Sequence, residues 1–170
     1  MSKVILKPVL AFKEISGSGI MIINAHNKPP HLAFYSNNKY YSLSVKGISI
    51  GSNLSETIDK LKRRKTPVIF IDLDIDFPKT LIENSFNKYK SLDSGVSCLY
   101  PIKNLFNKHL NSIKDINYIF DLIPLLKDVN LIKQYYHINA NKYIRDKSFT
   151  LRTYTMEDII NEISKLKNDK

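Results

Sequence analysis

The chain has 170 residues, 43% hydrophobic and 25% charged, ordinary values for one domain with a real core. One cysteine excludes an internal disulfide framework, and no apolar run is long enough to span a bilayer. The formal net charge of +10 would attract phosphate backbones, anionic lipid or acidic polymers. Only Arg63, Arg64, Arg145 and Arg152 are arginines, however, so the lysine-rich balance reads as composition first and as a nucleic-acid footprint second.

"MSKVILKPVLAFKEI" lacks the continuous apolar region and cleavage site of a secretory signal, so a cytoplasmic location is expected, with leaderless export left open. Residues 3–12 read as extended, "SGSG" at 16–19 as a turn, "IMII" at 20–23 as a short buried strand, and "NAHNKPP" at 24–30 as a loop. "HLAFY" and "YYSLSV" flank "SNNK", a hairpin signal. With Asn37 and Asn38 in the turn, Tyr35 pairs with Tyr40, Ala33 with Ser42 and His31 with Ser44. One face then holds His31, Ala33, Tyr35, Tyr40, Ser42 and Ser44 and is mostly polar. The other holds Leu32, Phe34, Tyr41, Leu43 and Val45 and is apolar.

"KGISIG" ends the hairpin. Leu54, Ile58 and Leu61 have helical spacing, with the basic "KLKRRK" at that helix's C-terminus. "PVIFIDLDIDF" is the strongest strand. Thr80 and Glu83 form a capping-box pattern for the next helix, and another helix is expected at about 98–110. Two helical segments are expected over 115–136, kinked at Pro124, then a short strand "SFTLRTY". Thr155 and Asp158 cap a last helix whose buried stripe is Met156, Ile159, Ile160, Ile163 and Leu166. Strands in the first half and helices mainly in the second give an α+β class.

Cys98 is the first candidate for chemistry. With Ser97 as N-cap it falls in the first turn of its helix, where the dipole lowers a thiol pKa. It also shares an apolar stripe with Ile102, Leu105 and Phe106, the ordinary place of a buried cysteine. A cysteine nucleophile needs a base, most often histidine. His109 lies about three turns along the same helix, His137 follows a helix, and His26 sits in a loop. His31 opens a rigid strand, with small residues Ala33, Ser42 and Ser44 beside it.

Asp72, Asp74 and Asp76 alternate in "FIDLDID", so all three would point to one face of a strand. Such carboxylates can hold Mg²⁺ for phosphoryl transfer, but they are also what protects the solvent side of an edge strand. "KYY" and "QYYH" read as tyrosines at the core edge rather than as stacking platforms for single strands.

Glycine then "IMII", a histidine-led hairpin "HLAFYSNNKYYSLSVKG", a helix, the strand "PVIFIDLDI", a further helix and "SCLYPIKNLF" follow one another in an order that resembles the permuted NlpC-like papain-fold hydrolases, the branch with the lecithin:retinol acyltransferase relatives. The resemblance covers residues 17 to about 110. It implies an α+β, circularly permuted papain-like fold with an antiparallel sheet and packed helices. Within one domain spanning 1–170, residues 17–110 would be the catalytic core and 111–170 a helical C-terminal extension. It also implies Cys98 as nucleophile, His31 as general base and a third polar group that orients the imidazole. Family members usually place His, Asp, Asn or Glu on the strand after the histidine, whereas this chain has Ser42 and Ser44 there, with Asp72 or Asp74 as substitutes. Ser44 is taken with Cys98 and His31 as the expected site.

The leading expectation is therefore a cysteine hydrolase or acyltransferase acting on an amide, peptide or ester bond, a chemistry that requires no metal or organic cofactor. The alternative is a non-enzymatic basic module binding nucleic acid or an acidic partner. The third is a metal-dependent phosphotransferase at Asp72 and Asp74.

Overall fold

The computed structural model describes residues 3–93 and 95–169. Its strands are β1 (Ile5–Leu6), β2 (Val9–Ala11), β3 (Ser18–Ile23), β4 (His31–Ser36), β5 (Lys39–Ser44), β6 (Gly47–Asn53), β7 (Val68–Leu73), β8 (Ile132–Ile138) and β9 (Phe149–Thr150). Its helices are α1 (Leu54–Arg63), α2 (Lys79–Asn87), α3 (Leu99–Leu105), α4 (Ile119–Asp128) and α5 (Met156–Asn168). Seven strands form one sheet in the order β2-β8-β7-β3-β4-β5-β6, antiparallel except for the β2–β8 pair, and β1 pairs with β9 apart from it. The architecture is α+β, a mostly antiparallel sheet packed with helices.

Strand alternation divides the core. Ile20, Ile22, Leu32, Phe34, Ile69 and Ile71 belong to the larger cluster, with residues of α2, α3, α4 and α5. Met21, Ala33, Tyr35, Val68 and Phe70 meet Leu54 and Ile58 of α1 on the other side. Coverage of both faces is why β3 and β7 are buried at every position. Among the described residues no helix is long and apolar enough to cross a membrane.

The hairpin turns at Asn37 and Asn38, with φ of 48° and 60°, and pairs Tyr35 with Tyr40 and Ala33 with Ser42 as expected. Its apolar face is core. Its other face is not open to solvent: Ala33 and Tyr35 are fully buried on the α1 side. "KGISIG" does not end the meander but begins β6, a third strand antiparallel to β5.

β7 is interior, between β8 and β3, rather than an edge. Asp72 alone of the three aspartates lies in the strand, and it is buried; Asp74 and Asp76 are exposed beyond the strand end, so the expected shared strand face does not form. The Tyr35 hydroxyl donates to Asp72 Oδ1 at 3.0 Å. Gly19 of β3 pairs with Tyr35 on one side and Asp72 on the other, and a Cβ there would collide with the Tyr35 hydroxyl and the Ile71 carbonyl. Glycine at position 19 thus leaves the gap across which two neighbouring strands exchange a buried polar contact.

Helix boundaries also move. α2 starts behind Pro78 with no side-chain cap, so Thr80 and Glu83 make no capping box, and Glu83 instead pairs with Lys79 at 3.6 Å. α4 contains Pro124 and gives way at Val129 to Asn130, whose φ of 57° stops a helix. Residues 132–136, expected as the end of a helix, belong to β8 (Ile132–Ile138). The β-branched and aromatic run "IKQYYHI" fits a strand set between β2 and β7. The segment 111–170 is therefore not a helical extension, since it supplies a strand of the main sheet. α5 keeps its Thr155–Asp158 capping box. It buries Ile159 and Ile163, while Ile160 and Leu166 of the expected stripe are 36% and 41% exposed.

Candidate active site

Cys98 reaches the sheet through a tight turn. Asp93 and Val96 bridge, the Gly95 N–H donates to Asp93 Oδ1 at 2.8 Å, and the Leu99 N–H donates to Ser97 Oγ at 3.3 Å. Cys98 itself occupies the N-cap of α3, one position earlier than expected, and α3 ends at Leu105 rather than near 110. Leu99, Ile102 and Leu105 then bury α3 against the larger cluster.

The other half of the site comes from β4. The ladder between β4 and β5 stops at Ala33–Ser42, and the expected His31–Ser44 pair does not form. The N–H of Leu32 donates instead to Cys98 Sγ at 3.4 Å, across 66 residues of sequence, while the Leu92 N–H donates to the Ser44 carbonyl at 3.0 Å. The two strands open into a fork, and the segment carrying Leu92 and Cys98 enters it. His31 is the residue next to that contact, at the mouth of the fork.

Cys98, His31 and Ser44 all line one cavity of about 340 Å³. Its wall is largely apolar: Leu32 and Val45 from the hairpin, Leu92 and Leu99 from the segment leading into the start of α3, and Tyr154, Ile159, Ile163 and Leu166 from the chain leading into and along α5. Lys46, Asn117 and Glu162 add polar groups to the lining.

Loss of water sets the protonation of both candidate groups. Burial pushes the Cys98 thiol up to about 11, against the pull of the Leu32 N–H and its own N–H. A helix start was expected to lower it; in this short helix desolvation wins. Burial pushes the His31 imidazole down to about 4. At neutral pH the pair is thiol and neutral imidazole.

Ser44, expected as the group that orients His31, is engaged in a turn. The Ser44 hydroxyl donates to the Gly47 carbonyl and accepts from the Lys46 N–H, both at 3.2 Å, so it serves the β5–β6 turn. Ser42 lies opposite Ala33, buried, and is not among the cavity residues. Asp72 is level with Gly19 on β3, whereas His31 is level with Ile23, so four strand residues, roughly 13 Å, separate them. Burial raises the Asp72 carboxyl pKa, and its Tyr35 partner works against that rise. Asp74, exposed beyond the strand, is not among the cavity residues either. Among the described residues no three His, Cys, Asp or Glu side chains gather into a set that could hold a metal ion.

The remaining histidines do not line the cavity. His26 stacks on Tyr143 at 4.7 Å, His109 meets the Phe77 ring edge at 5.8 Å, and His137 lies on β8 rather than after a helix. Sequence reasoning missed Tyr154 and the α5 wall, because nothing in "LRTYT" signals proximity to residues more than fifty positions earlier; only the topology does so. Neither a family model, a curated protein nor a solved structure matches the chain.

Proposed function

We propose that this protein is a cysteine hydrolase or acyltransferase acting on an ester, amide or peptide bond, of the kind implied by its resemblance to the permuted NlpC-like papain-fold hydrolases. The observation that carries the reading is the shared cavity: Cys98 on α3 and His31 on β4 line it together, and the Cys98 sulfur is held by the N–H of the residue after His31. Cys98 attacks the carbonyl carbon, and His31 takes the thiol proton and returns it to the leaving group. The apolar lining favours a substrate whose acyl portion is apolar. Because the resting pair is neutral, proton transfer accompanies attack instead of preceding it.

The test is intact-mass measurement after exposure to an activated acyl ester. One acyl group per chain is expected on the native protein, none on Cys98→Ala, and slower loading on His31→Ala. Unmodified native protein, or an adduct that survives Cys98→Ala, overturns the reading.

A second reading rests on charge. Lys60, Lys62, Arg63, Arg64 and Lys65 are all exposed where α1 ends. They support a basic module for nucleic acid or another acidic partner. Its mark is an affinity that falls steeply with salt and weakens when Arg63 and Arg64 become Ala; affinity indifferent to salt counts against it.

A further inference from the structure

Among the described residues Tyr154 is the one aromatic hydroxyl lining the cavity, whose wall is largely apolar, with Leu32, Leu92, Leu99, Ile159 and Ile163, and includes the polar Asn117 and Glu162. It is only 6% exposed, and its ring is fixed edge-on against Tyr118 at 5.5 Å and Phe120 at 5.1 Å. A polar group in such a place needs a partner. Burial pushes its pKa above the ordinary range; Cys98, which lines the same cavity, raises it further when ionised, and the Ile119 N–H works against the rise. The residue also lies outside 17–110, the stretch that carries the family resemblance.

We propose that the Tyr154 hydroxyl is a catalytic group, the side-chain hydrogen-bond donor to the substrate carbonyl oxygen while Cys98 attacks the carbon beside it. The inference rests on the cysteine-hydrolase reading. The sulfur–carbon bond forms as the thiol proton passes to His31, and the carbonyl π pair moves onto oxygen. That oxygen accepts from the Tyr154 O–H. Collapse restores the carbonyl, breaks the bond to the leaving group and sends the His31 proton with it. Water, or an acceptor alcohol or amine, then displaces the thioester with His31 as base. In a water-poor cavity a fixed O–H is worth far more to a developing negative charge than to a neutral carbonyl, so its effect falls on the rate of attack and not on substrate binding.

The experiment is rapid-mixing kinetics with a p-nitrophenyl acyl ester, which reports acylation as a nitrophenolate burst. Tyr154→Phe, which keeps the ring and removes only the hydroxyl, is expected to slow acylation about 100-fold with KM changed less than about 2-fold. Tyr118→Phe, in the same aromatic stack but not among the cavity residues, is expected to acylate at the native rate. A Tyr154→Phe variant that acylates as fast as the native protein, while Cys98→Ala gives no burst, overturns the role of Tyr154 and leaves the hydrolase reading standing. Equal slowing in Tyr154→Phe and Tyr118→Phe shows a packing effect and overturns it too. A native protein with no Cys98-dependent burst removes the hydrolase reading and this inference together.

Discussion

At His31 and Cys98 one force, removal from water, acts on groups of opposite charge type. The imidazole resists gaining a charge and the thiol resists giving up its proton. For His31, with a folded pKa of about 4 against 6.5, the unfolded chain binds more protons in between. Its contribution is therefore complete above pH 6.5 and is lost as pH falls toward 4, about 3 kcal/mol in all. For Cys98, with about 11 against 9.0, the folded chain keeps a proton that the unfolded chain loses. Its contribution is complete below pH 9 and is lost as pH rises toward 11, again about 3 kcal/mol. Urea midpoints across pH should show both slopes. His31→Asn should flatten the acid one in part, since His26 and His137 are also lowered by burial and keep a share of it. Cys98→Ser should flatten the alkaline one in part, since Tyr35, Tyr135 and Tyr154 are also raised by burial and keep a share of it. Iodoacetamide labelling of Cys98 should be slow at pH 6 and climb steeply between pH 9 and 11; fast labelling at pH 6 would contradict the raised pKa of the thiol.

Two elements owe their place to contacts that single substitutions can break. β3 carries Gly19 beneath the Tyr35–Asp72 bond, so Gly19→Ala must displace both a tyrosine hydroxyl and the β7 backbone, and a loss of about 3 kcal/mol or more is expected in urea titration. Tyr35→Phe leaves a buried carboxylate without its donor, at a cost of about 1–3 kcal/mol. Asp72→Asn keeps an acceptor for the hydroxyl and should change stability by less than about 1 kcal/mol, with acylation of Cys98 unchanged. An acylation defect in Asp72→Asn would mean that the carboxylate reaches His31 after all. α5 is tied at its start by the capping box and by Lys28, 3.4 Å from Asp158. Thr155→Ala should cost about 1 kcal/mol and, because α5 walls the cavity, speed the reaction of Cys98 with a disulfide reagent. The elements legible in the sequence were those whose rules are local. The Asn37–Asn38 turn, the apolar run of β7 and the Thr155 cap each act through neighbours a few residues away. The β6 strand and β8 were not legible, because "GISIG" and "IKQYYHI" become strands through partners that the local pattern does not name.

Across the whole molecule, the chain closes on itself through β8. This strand, from the last third of the sequence, lies between β2 and β7 and supplies the neighbour for both. Residues 1–110 made alone should therefore lack cooperative unfolding and be cut rapidly by protease. A stable, protease-resistant 1–110 fragment would show that the later segment is dispensable. The same connectivity explains how much of the candidate site could be read. Cys98 and His31 were legible as residue types at the ends of elements, and the fork that joins them was not. The predicted His31–Ser44 pairing follows from regular alternation, and it fails only because a distant segment enters between β4 and β5. Ser44 was chosen by that alternation and is held instead by the next turn. Tyr154 and α5 reach the cavity only because the chain passes through β8 and returns.

That late strand also fixes an order of events during synthesis. β7, with its run Val68–Leu73, is finished and able to pair with β3 well before Ile132–Ile138 has left the ribosome. For that interval its outer edge is an apolar row of unsatisfied backbone groups, the kind of surface on which nascent chains stick to one another. The emerging protein is thus most exposed to chaperones and to aggregation while α2, α3 and α4 are being made, and it becomes safe only when β8 arrives.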